Sequence, residues 1–382
     1  MATLKVNTLS GIGTEGPVLN GGLKFRSENY MTLSKGDTAQ RGRGRALIMG
    51  GIYPESTRME TYSLISSSNG VEFGTLSAGN NAAWGGALAS ATRGVIAGGN
   101  GQIVNISYVE IPTLGDSIDF GDLTVGRRHA VGVSNNTRGM WAGGETAGGT
   151  TQTDTIDFVT IASTGDAQDF GDLTQSMYNR DGCGSQTRGM FMTGHSPSLQ
   201  NTVDYVTIAQ TGDAVDFGDL SDQKNAIACC ASPTRAFCTG GSTPSRINVI
   251  DFFTISTLGN SADFGDLTHI ISLHSACSNA TRGFSIGGYD GAVEDQIDKF
   301  EMASLGNAVD FGNLSTGAYV TGAGASPTRA VCIGGLTSAP ATAHNVIQYF
   351  TISTSGDTID FGDTVTANHS PACNTNGHGG LG

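Results

Sequence analysis

The sequence has no long hydrophobic run and few positive charges. Of its 382 residues only 20 are Lys or Arg, against 34 Asp or Glu, and the formal net charge is -14. Because such a surface repels phosphate backbones, nucleic-acid binding is disfavoured. No stretch approaches the ~20 apolar residues that span a membrane, and the opening MATLKVNTLSG lacks the apolar core of a signal peptide. We therefore expect a soluble protein, made in a cytoplasm, that does not insert into a membrane.

Motifs of common enzyme classes are missing as well. The sequence has no G-x-S-x-G nucleophile motif, no phosphate-binding loop and no zinc-ligand spacing. Its seven cysteines include no C-x-x-C pair, so we expect small buried apolar side chains rather than redox or metal groups. These absences predict a protein with no catalytic residue and no cofactor.

What the sequence has in abundance is glycine. Its 57 Gly residues are about twice the usual share of ~7%, without the every-third-residue period of collagen. Gly, Thr, Ser, Asp and Asn separate short apolar runs. This composition predicts many tight turns that join many short strands.

One phrase of twelve residues recurs along the chain. STGDAQDFGDLT (163–174) returns with few changes at 210–221, 257–268, 304–315 and 354–365. Its DFG motif, or a close variant, places a Phe in seven units, at Phe73, Phe120, Phe170, Phe217, Phe264, Phe311 and Phe361. An Arg, mostly in a Thr-Arg turn, recurs at intervals of 45 to 50 residues, at Arg45, Arg93, Arg138, Arg188, Arg235, Arg282 and Arg329. Repeats of this period predict one repeat body rather than several domains.

Residues 127–173 show the pattern of one unit. HAVGV, GMWAGG and TIDFVTIA predict three successive strands, and AQDF predicts a short fourth strand before the next unit begins. Four strands in such a period are typical of a β-propeller blade. Length differences between units fall between the second and third strands, while the joint from Phe to the next Arg is nearly constant. We therefore predict an all-β, seven-bladed β-propeller of four-stranded antiparallel blades.

The two ends of the repeat array complement each other. The first unit starts at RGRGRALIMGG without a first strand, and the last unit is followed by TANHSPACNTNG (365–376), which aligns with the first strands of other units. We expect 365–376 to complete blade 1, which closes the ring without a free edge. The predicted organisation is a β-rich N-terminal extension at 1–39, a propeller at 40–376 and a tail at 377–382.

The acidic residues of the repeated phrase allow two interpretations. Asp166, Asp169, Asp172 and their copies could line Ca²⁺ sites, because closely spaced carboxylates attract this cation. However, Asn replaces Asp at 260, 307 and 313, and the spacing falls short of an EF-hand loop. We expect these residues to cap turns by accepting hydrogen bonds from backbone N–H groups, without a metal. We also expect the repeated Arg to pair with a carboxylate, for example one of the STGD turn on the same face.

The unit resembles the kelch repeat. The likeness lies in RRHAV (127–131), in Gly pairs such as 143–144 and in the apolar strand IDFVTI that follows. The kelch tryptophan of the fourth strand is missing, and the Phe of the DFG motif takes its place, which argues against the eukaryotic adaptor subgroup. The resemblance covers about residues 40–376, and it implies a fold rather than a function.

The opening segment carries a second resemblance. The stretch from LKVNTLSG to ALIMGG (4–51) resembles the N-terminus of structural proteins from marine bacteriophages, especially cyanophages, in which a short β-rich lead precedes kelch-like repeats with DFGDLT-type phrases. This resemblance implies a virion protein that is made in the host cytoplasm. Its implied partners are other virion proteins of the tail, baseplate or capsid, together with a glycan or protein of the host surface. The extension at 1–39 is the candidate docking segment, and packing under blade 1 is the alternative.

We expect a virion structural protein of the tail, baseplate or a fibre, and not an enzyme. A capsid or neck decoration protein and a non-viral carbohydrate- or protein-binding propeller are the alternatives. A sialidase is disfavoured because the repeated Arg forms a rim rather than a convergent triad, and because the S-x-D-x-G-x-x-W box is absent. A copper site like that of galactose oxidase is disfavoured because the histidines are scattered within the repeat, as at His129, His269, His274, His369 and His378.

The loops between the second and third strands are the candidate recognition surface. They are polar and variable and share a face with the joints between blades, and rigid scaffolds often carry recognition on such loops. The candidate binding residues are Gln102, Asn105, Thr146, Thr150, Gln152, Ser198, Gln200, Ser245, Arg246, Asp290, Glu294, Thr337 and His344. The alternative is that these loops are permissive solvent segments without a partner.

Overall fold

Strands and turns make up the whole of the described chain. The computed structural model describes residues 18–19, 23–24, 45–51, 57–63, 69–77, 85–90, 92–146, 151–178, 181–195, 198–337, 341–369 and 372–375. Within these ranges all regular structure is β, and no helix there is long and apolar enough to cross a membrane.

Seven antiparallel sheets of four or five strands form the blades of a ring. The inner strand of every blade contacts the inner strands of both neighbouring blades. Because these contacts run through all seven blades and return to the first, the ring is closed. The predicted seven-bladed β-propeller is confirmed.

Each blade orders its strands from the central channel outward. From blade 1 to blade 7, the inner strands are Ala372–Thr375, Gly86–Ala89, Val131–Ser134, Asp181–Gly184, Ala228–Ala231, Ser275–Ser278 and Gly322–Ala325. The second strands are Arg45–Met49, Arg93–Ala97, Arg138–Ala142, Arg188–Met192, Arg235–Thr239, Arg282–Tyr289 and Arg329–Ile333. The third strands are Arg58–Ser63, Asn105–Glu110, Thr155–Thr160, Thr202–Thr207, Ser245–Thr254, Val293–Glu301 and Thr342–Thr351. The outer strands are Val71–Thr75, Ile118–Asp122, Gln168–Asp172, Val215–Asp219, Ala262–Ile271, Val309–Asn313 and Ile359–Asn368.

Blade 1 takes its inner strand from the far end of the chain. Ala372–Thr375 pairs antiparallel with Arg45–Met49, so that Cys373 lies opposite Ile48. The predicted closure of the ring is therefore confirmed, but the closing strand is shorter than the predicted segment 365–376, because residues 365–368 belong to the outer strand of blade 7. Of the predicted extension at 1–39, the structure describes one short hairpin, Val18–Leu19 with Leu23–Lys24, and the rest lies outside the described residues, as does the tail at 377–382.

The connections between second and third strands carry additional short strands. Blades 5 and 7 gain a fifth strand each, Ser242–Thr243 and Leu336–Thr337, which corrects the prediction of four strands for these two blades. In blade 3 the same connection forms a separate hairpin of Glu145–Thr146 and Thr151–Gln152. The length variation of the repeat is thus used to build structure on one face of the ring, which we call the loop face.

The Phe of the repeated phrase packs in the layer between blades. Phe170 is 2% exposed and meets the ring of Phe158 edge to face, with centroids 5.6 Å apart. It shares one apolar cluster with Phe191 of the next blade. Edge-to-face pairs of this kind add about 0.5–1.5 kcal/mol to the burial of the rings, so the Phe stabilises both its own blade and the contact with its neighbour.

The repeated Arg bonds to the next blade on the side opposite the loop face. The guanidinium of Arg138 stacks 5.0 Å from the centroid of Phe158, and its Nη1 donates to the carbonyl of Ile208 in blade 4 at 2.9 Å. The same bond to a carbonyl of the following blade is made by Arg93, Arg188, Arg235 and Arg282. The expected pairing with a carboxylate is found in blades 2 and 6, where Arg93 binds Glu110 at 2.6 Å and Arg282 binds Glu301 at 3.0 Å, but these Glu residues end the third strand and do not lie in the STGD turn. The acceptor that recurs is a main-chain oxygen, which does not depend on the side chain.

The repeated phrase contains both halves of the joint between blades. The outer strand of blade 2 meets the turn of blade 3, where Gly165 N–H donates to Phe120 O at 2.7 Å. Asp166 Oδ1 accepts from Asp122 N–H across the same joint at 3.1 Å. Asp169 Oδ1 accepts from Gly171 N–H within its own strand at 3.0 Å. One Asp caps its own blade and the other binds the preceding blade, which explains why the chain repeats the phrase as a unit.

Glycine in the DFG motif is required by this close approach. Gly121 and Gly165 have φ of 144° and 151°, a region that is strained for any other residue. A Cβ on Gly121 would lie 2.4 Å from the carbonyl carbon of Gly165, whereas a Cβ on Gly165 would meet no atom within 4 Å. We therefore expect Gly121→Ala to reduce the free energy of unfolding by about 1–3 kcal/mol more than Gly165→Ala, the usual cost of overpacking.

Urea unfolding of the two full-length variants measures this difference. Gly165→Ala is the matched control, because it carries the backbone strain without the clash. Equal losses in the two variants would mean that the blades do not meet at Gly121 as closely as the structure places them.

Candidate functional site

A ring of backbone bridges fixes the loop face around the channel. In blades 3 to 7 the residue after a Gly pair, or after Thr193-Gly194 in blade 4, meets a residue of the joint that precedes the same blade. These bridges are Arg128↔Glu145, Tyr178↔His195, Asn225↔Ser242, Ser272↔Tyr289 and Tyr319↔Leu336. The Gly pair allows this approach, since a Cβ on Gly144 would lie 2.6 Å from the carbonyl oxygen of Arg128. We call this set the bridge ring: its backbone is constant and its side chains vary.

A second set of residues lies beside the bridge ring in a left-handed conformation. Ala226, Leu273 and Val320 have φ of 53°, 54° and 52°. Leu273 N–H donates to Ala226 O at 3.1 Å, and Val320 N–H donates to Leu273 O at 2.9 Å. These bonds run from blade to blade, and they hold an apolar side chain at Leu273 that remains 39% exposed. A left-handed non-glycine residue costs about 1–3 kcal/mol and is found mostly at functional sites.

An aromatic opening of the loop face crosses blades 5, 6 and 7. A cavity of about 550 Å³ is lined by Arg246, Leu273, Tyr289, Tyr319 and Thr337, among others. Cavities of roughly 300–1,000 Å³ with apolar walls and a few polar groups are typical of small-molecule sites. The two tyrosine rings lie 5.4 Å apart at 45°, and they form an aromatic wall that spans two blades.

Arg246 brings a positive charge to this cavity. Its guanidinium lies 4.7 Å from the ring centroid of Tyr289. Its Nε donates to Ser272 Oγ at 3.2 Å, and its Nη1 donates to the carbonyl of Asp290 at 3.1 Å. Arg246 forms no ion pair with the described carboxylates. The charge is therefore held in place by two neutral acceptors.

Two carboxyl groups lie at the tip of the neighbouring hairpin in blade 6. Asp290 Oδ1 accepts from Ala292 N–H at 2.9 Å, and this bond lowers the pKa of Asp290. Burial, with the charge of Asp290 nearby, raises the pKa of Glu294. The charge of Arg246 also contributes to lowering the pKa of Asp290, whose side chain caps its own turn without a direct ion pair to Arg246.

The structure brings together only part of the predicted residue set. Arg246 and Thr337 line the aromatic cavity, and Asp290 adjoins it through its carbonyl. Gln102, Thr146, Gln152, Ser198 and Gln200 lie on blades 2, 3 and 4, away from this cavity, and Ser245 and Glu294 flank its edge on blades 5 and 6. Thr150 lies outside the described residues.

Two predicted residues are engaged within their blades. Asn105 Oδ1 accepts from Ser107 Oγ at 2.8 Å, so its side chain bonds to its own strand rather than to a ligand. His344 is half-buried, and its Nδ1 accepts from Val346 N–H at 3.3 Å. Burial lowers the pKa of His344, which keeps its imidazole neutral at neutral pH.

Tyr289, Tyr319 and Leu273 are not among the predicted binding residues, although Tyr289 begins a predicted recognition loop at 289–295. Tyr319 and Leu273 lie in joints between blades, whereas the candidate surface was drawn from the loops between second and third strands alone. A usable signal was present: Tyr289 and Tyr319 occupy the two sides of the bridge ring in consecutive units. Aromatic residues at such positions of adjacent repeats indicate a shared surface.

The central channel differs from the aromatic cavity in its lining. Its cavity of about 270 Å³ is bordered by small residues, including Gly132, Ser134 and the thiols of Cys183, Cys229 and Cys277. Burial raises the pKa of Cys183 and Cys277, so these thiols stay protonated at neutral pH. In the described part of the chain no group of His, Cys, Asp and Glu is arranged to hold a metal ion.

Comparison with known proteins does not assign this chain to a family. No protein-family model matches the sequence. No curated protein is significantly similar to it. Because a propeller hosts many unrelated functions, the functional argument rests on the residues of the loop face.

Proposed function

We propose that this chain is a non-enzymatic binding propeller that serves as a structural protein of a bacteriophage particle, in the tail, baseplate or a fibre. The observation that carries the proposal is the separation of constant from variable residues. Side-chain contacts that recur from blade to blade lie at the outer strands and on the face opposite the loops, as at Phe170 and Arg138. Side chains that change from blade to blade lie on the loop face, at the bridge ring.

This separation suits a rigid scaffold that presents one recognition surface. The two main-chain bonds between Ser272 and Tyr289, at 3.1 and 2.9 Å, fix the backbone from which an aromatic ring projects. The bonds between Tyr319 and Leu336 do the same on the next blade. A ligand therefore meets preformed groups, which reduces the entropy lost on binding. The loop face is the surface with which the propeller contacts a host glycan or protein.

The proposal that the chain is part of a phage particle rests on a resemblance: the segment 4–51 and the DFGDLT-type phrases resemble those of phage structural proteins. In this proposal the extension at 1–39 docks to other virion proteins while the loop face points outward. The net charge of -14 supports a role without nucleic-acid contact, since it repels phosphate backbones. The proposed location is the virion, after synthesis in the host cytoplasm.

Gradient-purified particles from the source provide the test. Mass spectrometry determines whether the chain is a stoichiometric component, and immunogold labelling with an antibody against the peptide 145–154 shows where it lies. We expect the chain in the particles, with gold at the tail or its tip. Gold distributed over the head would replace the tail assignment with a capsid decoration role. Absence from the particles would overturn the virion proposal and leave a non-viral binding propeller.

A further inference from the structure

We infer that the aromatic cavity between blades 5, 6 and 7 binds a saccharide that carries a carboxylate, such as a hexuronate. This inference rests on the proposed role of the loop face as a recognition surface and names its ligand. The juxtaposition that carries it is an aromatic wall, Tyr289 and Tyr319, beside a guanidinium, Arg246, whose direct hydrogen bonds go to neutral oxygens and not to a described carboxylate.

The aromatic wall suits the apolar face of a sugar ring. An aromatic ring presents a negative face, and the C–H bonds on one side of a pyranose are polarised in the opposite sense. Neither phenol hydroxyl of Tyr289 and Tyr319 is hydrogen-bonded within the described part of the chain. Each tyrosine therefore offers a stacking face together with a hydroxyl that is available to a sugar hydroxyl.

Arg246 supplies the recognition of the carboxylate. Its two protein hydrogen bonds use Nε and one hydrogen of Nη1, which leaves both hydrogens of Nη2 and one of Nη1 for a ligand. A guanidinium binds a carboxylate through parallel charge-assisted hydrogen bonds, and its planar geometry is fixed in advance. Because Ser272 and the Asp290 carbonyl already hold the group, little side-chain entropy remains to be lost.

The surrounding charge makes this site selective. In a protein with a net charge of -14, most of the surface repels anions, and an anionic ligand is favoured only beside an exposed cation. At the bridge of blade 3, by contrast, Arg128 is already paired with Glu145 at 2.8 Å. Arg246 bonds directly to neutral groups instead, and the nearby Asp290 carboxylate caps its own turn without an ion pair to Arg246, so a ligand carboxylate can bind the remaining hydrogens of the guanidinium.

The shape of the cavity limits the ligand to a small one. Its volume of about 550 Å³ accommodates one or two sugar residues in the usual size range of ligand sites. Leu273 adds a 39% exposed apolar side chain to the lining, held by the left-handed backbone that links blades 5, 6 and 7. A terminal acidic sugar of a larger glycan fits these dimensions, with the rest of the chain outside the cavity.

Binding of acidic monosaccharides to the full chain tests the inference. Calorimetry and saturation-transfer NMR are carried out with D-glucuronate, D-galacturonate and N-acetylneuraminate, and D-glucose serves as the neutral counterpart. We expect at least one acidic sugar to bind about 10-fold or more tightly than glucose, as a charge-assisted pair requires. Arg246→Gln is expected to remove this preference, and Tyr319→Ala is expected to weaken both acidic and neutral sugars.

Tyr178→Ala is the matched control, because Tyr178 holds the same joint position of the bridge ring in blade 4. This variant is expected to bind acidic sugars like the unmodified chain. Urea unfolding of all three variants separates loss of the site from loss of the fold. If none of the three acidic sugars binds more tightly than glucose, or if an acidic preference survives Arg246→Gln, the inference is overturned.

These outcomes are distinct from those for the proposed function. If the chain is present in particles and binds host cells, but acidic sugars neither bind nor compete, the ligand class is wrong and the virion role stands. If acidic sugars bind as expected and the chain is absent from particles, the virion role is wrong and the site stands.

Discussion

Removal of the closing strand is expected to abolish the single cooperative unfolding transition of the propeller. A chain that ends at residue 369 lacks Ala372–Thr375, the inner strand of blade 1, which pairs with Arg45–Met49. The same strand contacts the inner strands of blades 2 and 7, so its loss opens the ring as well as one sheet. Arg45–Met49 then becomes an exposed strand edge, which promotes association between molecules.

Thermal unfolding followed by tryptophan fluorescence measures this effect, with Trp84→Phe in every variant so that Trp141 is the one remaining tryptophan. Trp141 is fully buried in blade 3 and reports on a blade that the truncation does not touch. We expect a broad transition at lower temperature with concentration-dependent aggregation. Deletion of only 377–382, the predicted tail, is the control and is expected to leave the transition unchanged.

Addition of the missing strand as a separate peptide provides a second test of the closing strand. A synthetic peptide of residues 370–382 is expected to restore the cooperative transition, while a scrambled peptide of the same composition is not. A truncated chain that unfolds like the full chain without the peptide would show that the ring does not depend on this strand.

Replacement of the buried arginine of blade 3 is expected to have the next largest effect. Arg127 and Asp157 are both fully buried, with Nη2 and Oδ2 2.7 Å apart. Burial lowers the pKa of Arg127 and raises the pKa of Asp157, so each charge is tolerated chiefly because the other is present. Arg127→Met leaves the carboxylate of Asp157 without its counterion, which costs about 3–5 kcal/mol of stability.

The sequence itself provides the rescue for this variant. In blade 7 a neutral Gln348 occupies the position of Asp157, where its Oε1 accepts from Ser315 Oγ and from Thr358 Oγ1, each at 2.9 Å. The double variant Arg127→Met, Asp157→Gln removes both charges together, and replacement of a whole buried pair is often nearly neutral. We expect it to recover most of the stability that Arg127→Met loses.

The dependence on pH identifies the cause of the loss. Without Arg127, the pKa of Asp157 rises further above its unfolded value, and the folded state then binds a proton more tightly than the unfolded state does. The stability linked to that proton is present in acid and is lost as the pH rises through the range above the ordinary Asp pKa. Urea unfolding at acidic and neutral pH is therefore expected to show a larger loss for Arg127→Met at neutral pH. A loss that is independent of pH would point to packing instead of charge.

The sequence by itself determined the architecture of this protein. Copies of Phe170 and of Arg138 occur at intervals of 45 to 50 residues, and the strand patterns between them repeat with the same period. A repeat that buries its face only against its neighbours predicts a ring or solenoid. The first unit lacks a first strand, and the segment 365–376 aligns with the first strands of other units. The sequence therefore predicted that this segment closes the ring at blade 1. Local pattern and period were sufficient for each of these steps.

Only the tertiary structure decided how the blades are joined and which variable residues meet. The sequence shows Asp166 in a turn, but its hydrogen-bond partner, Asp122 N–H, belongs to the previous blade. Likewise Arg246, Tyr289 and Tyr319 come from three blades and line one cavity. A repeat period fixes the position of each residue within its blade, whereas contacts across blades depend on the rotation between sheets and on the direction of each side chain. The physical reason is that the interactions within a blade are local in sequence, and those that form the candidate site are not.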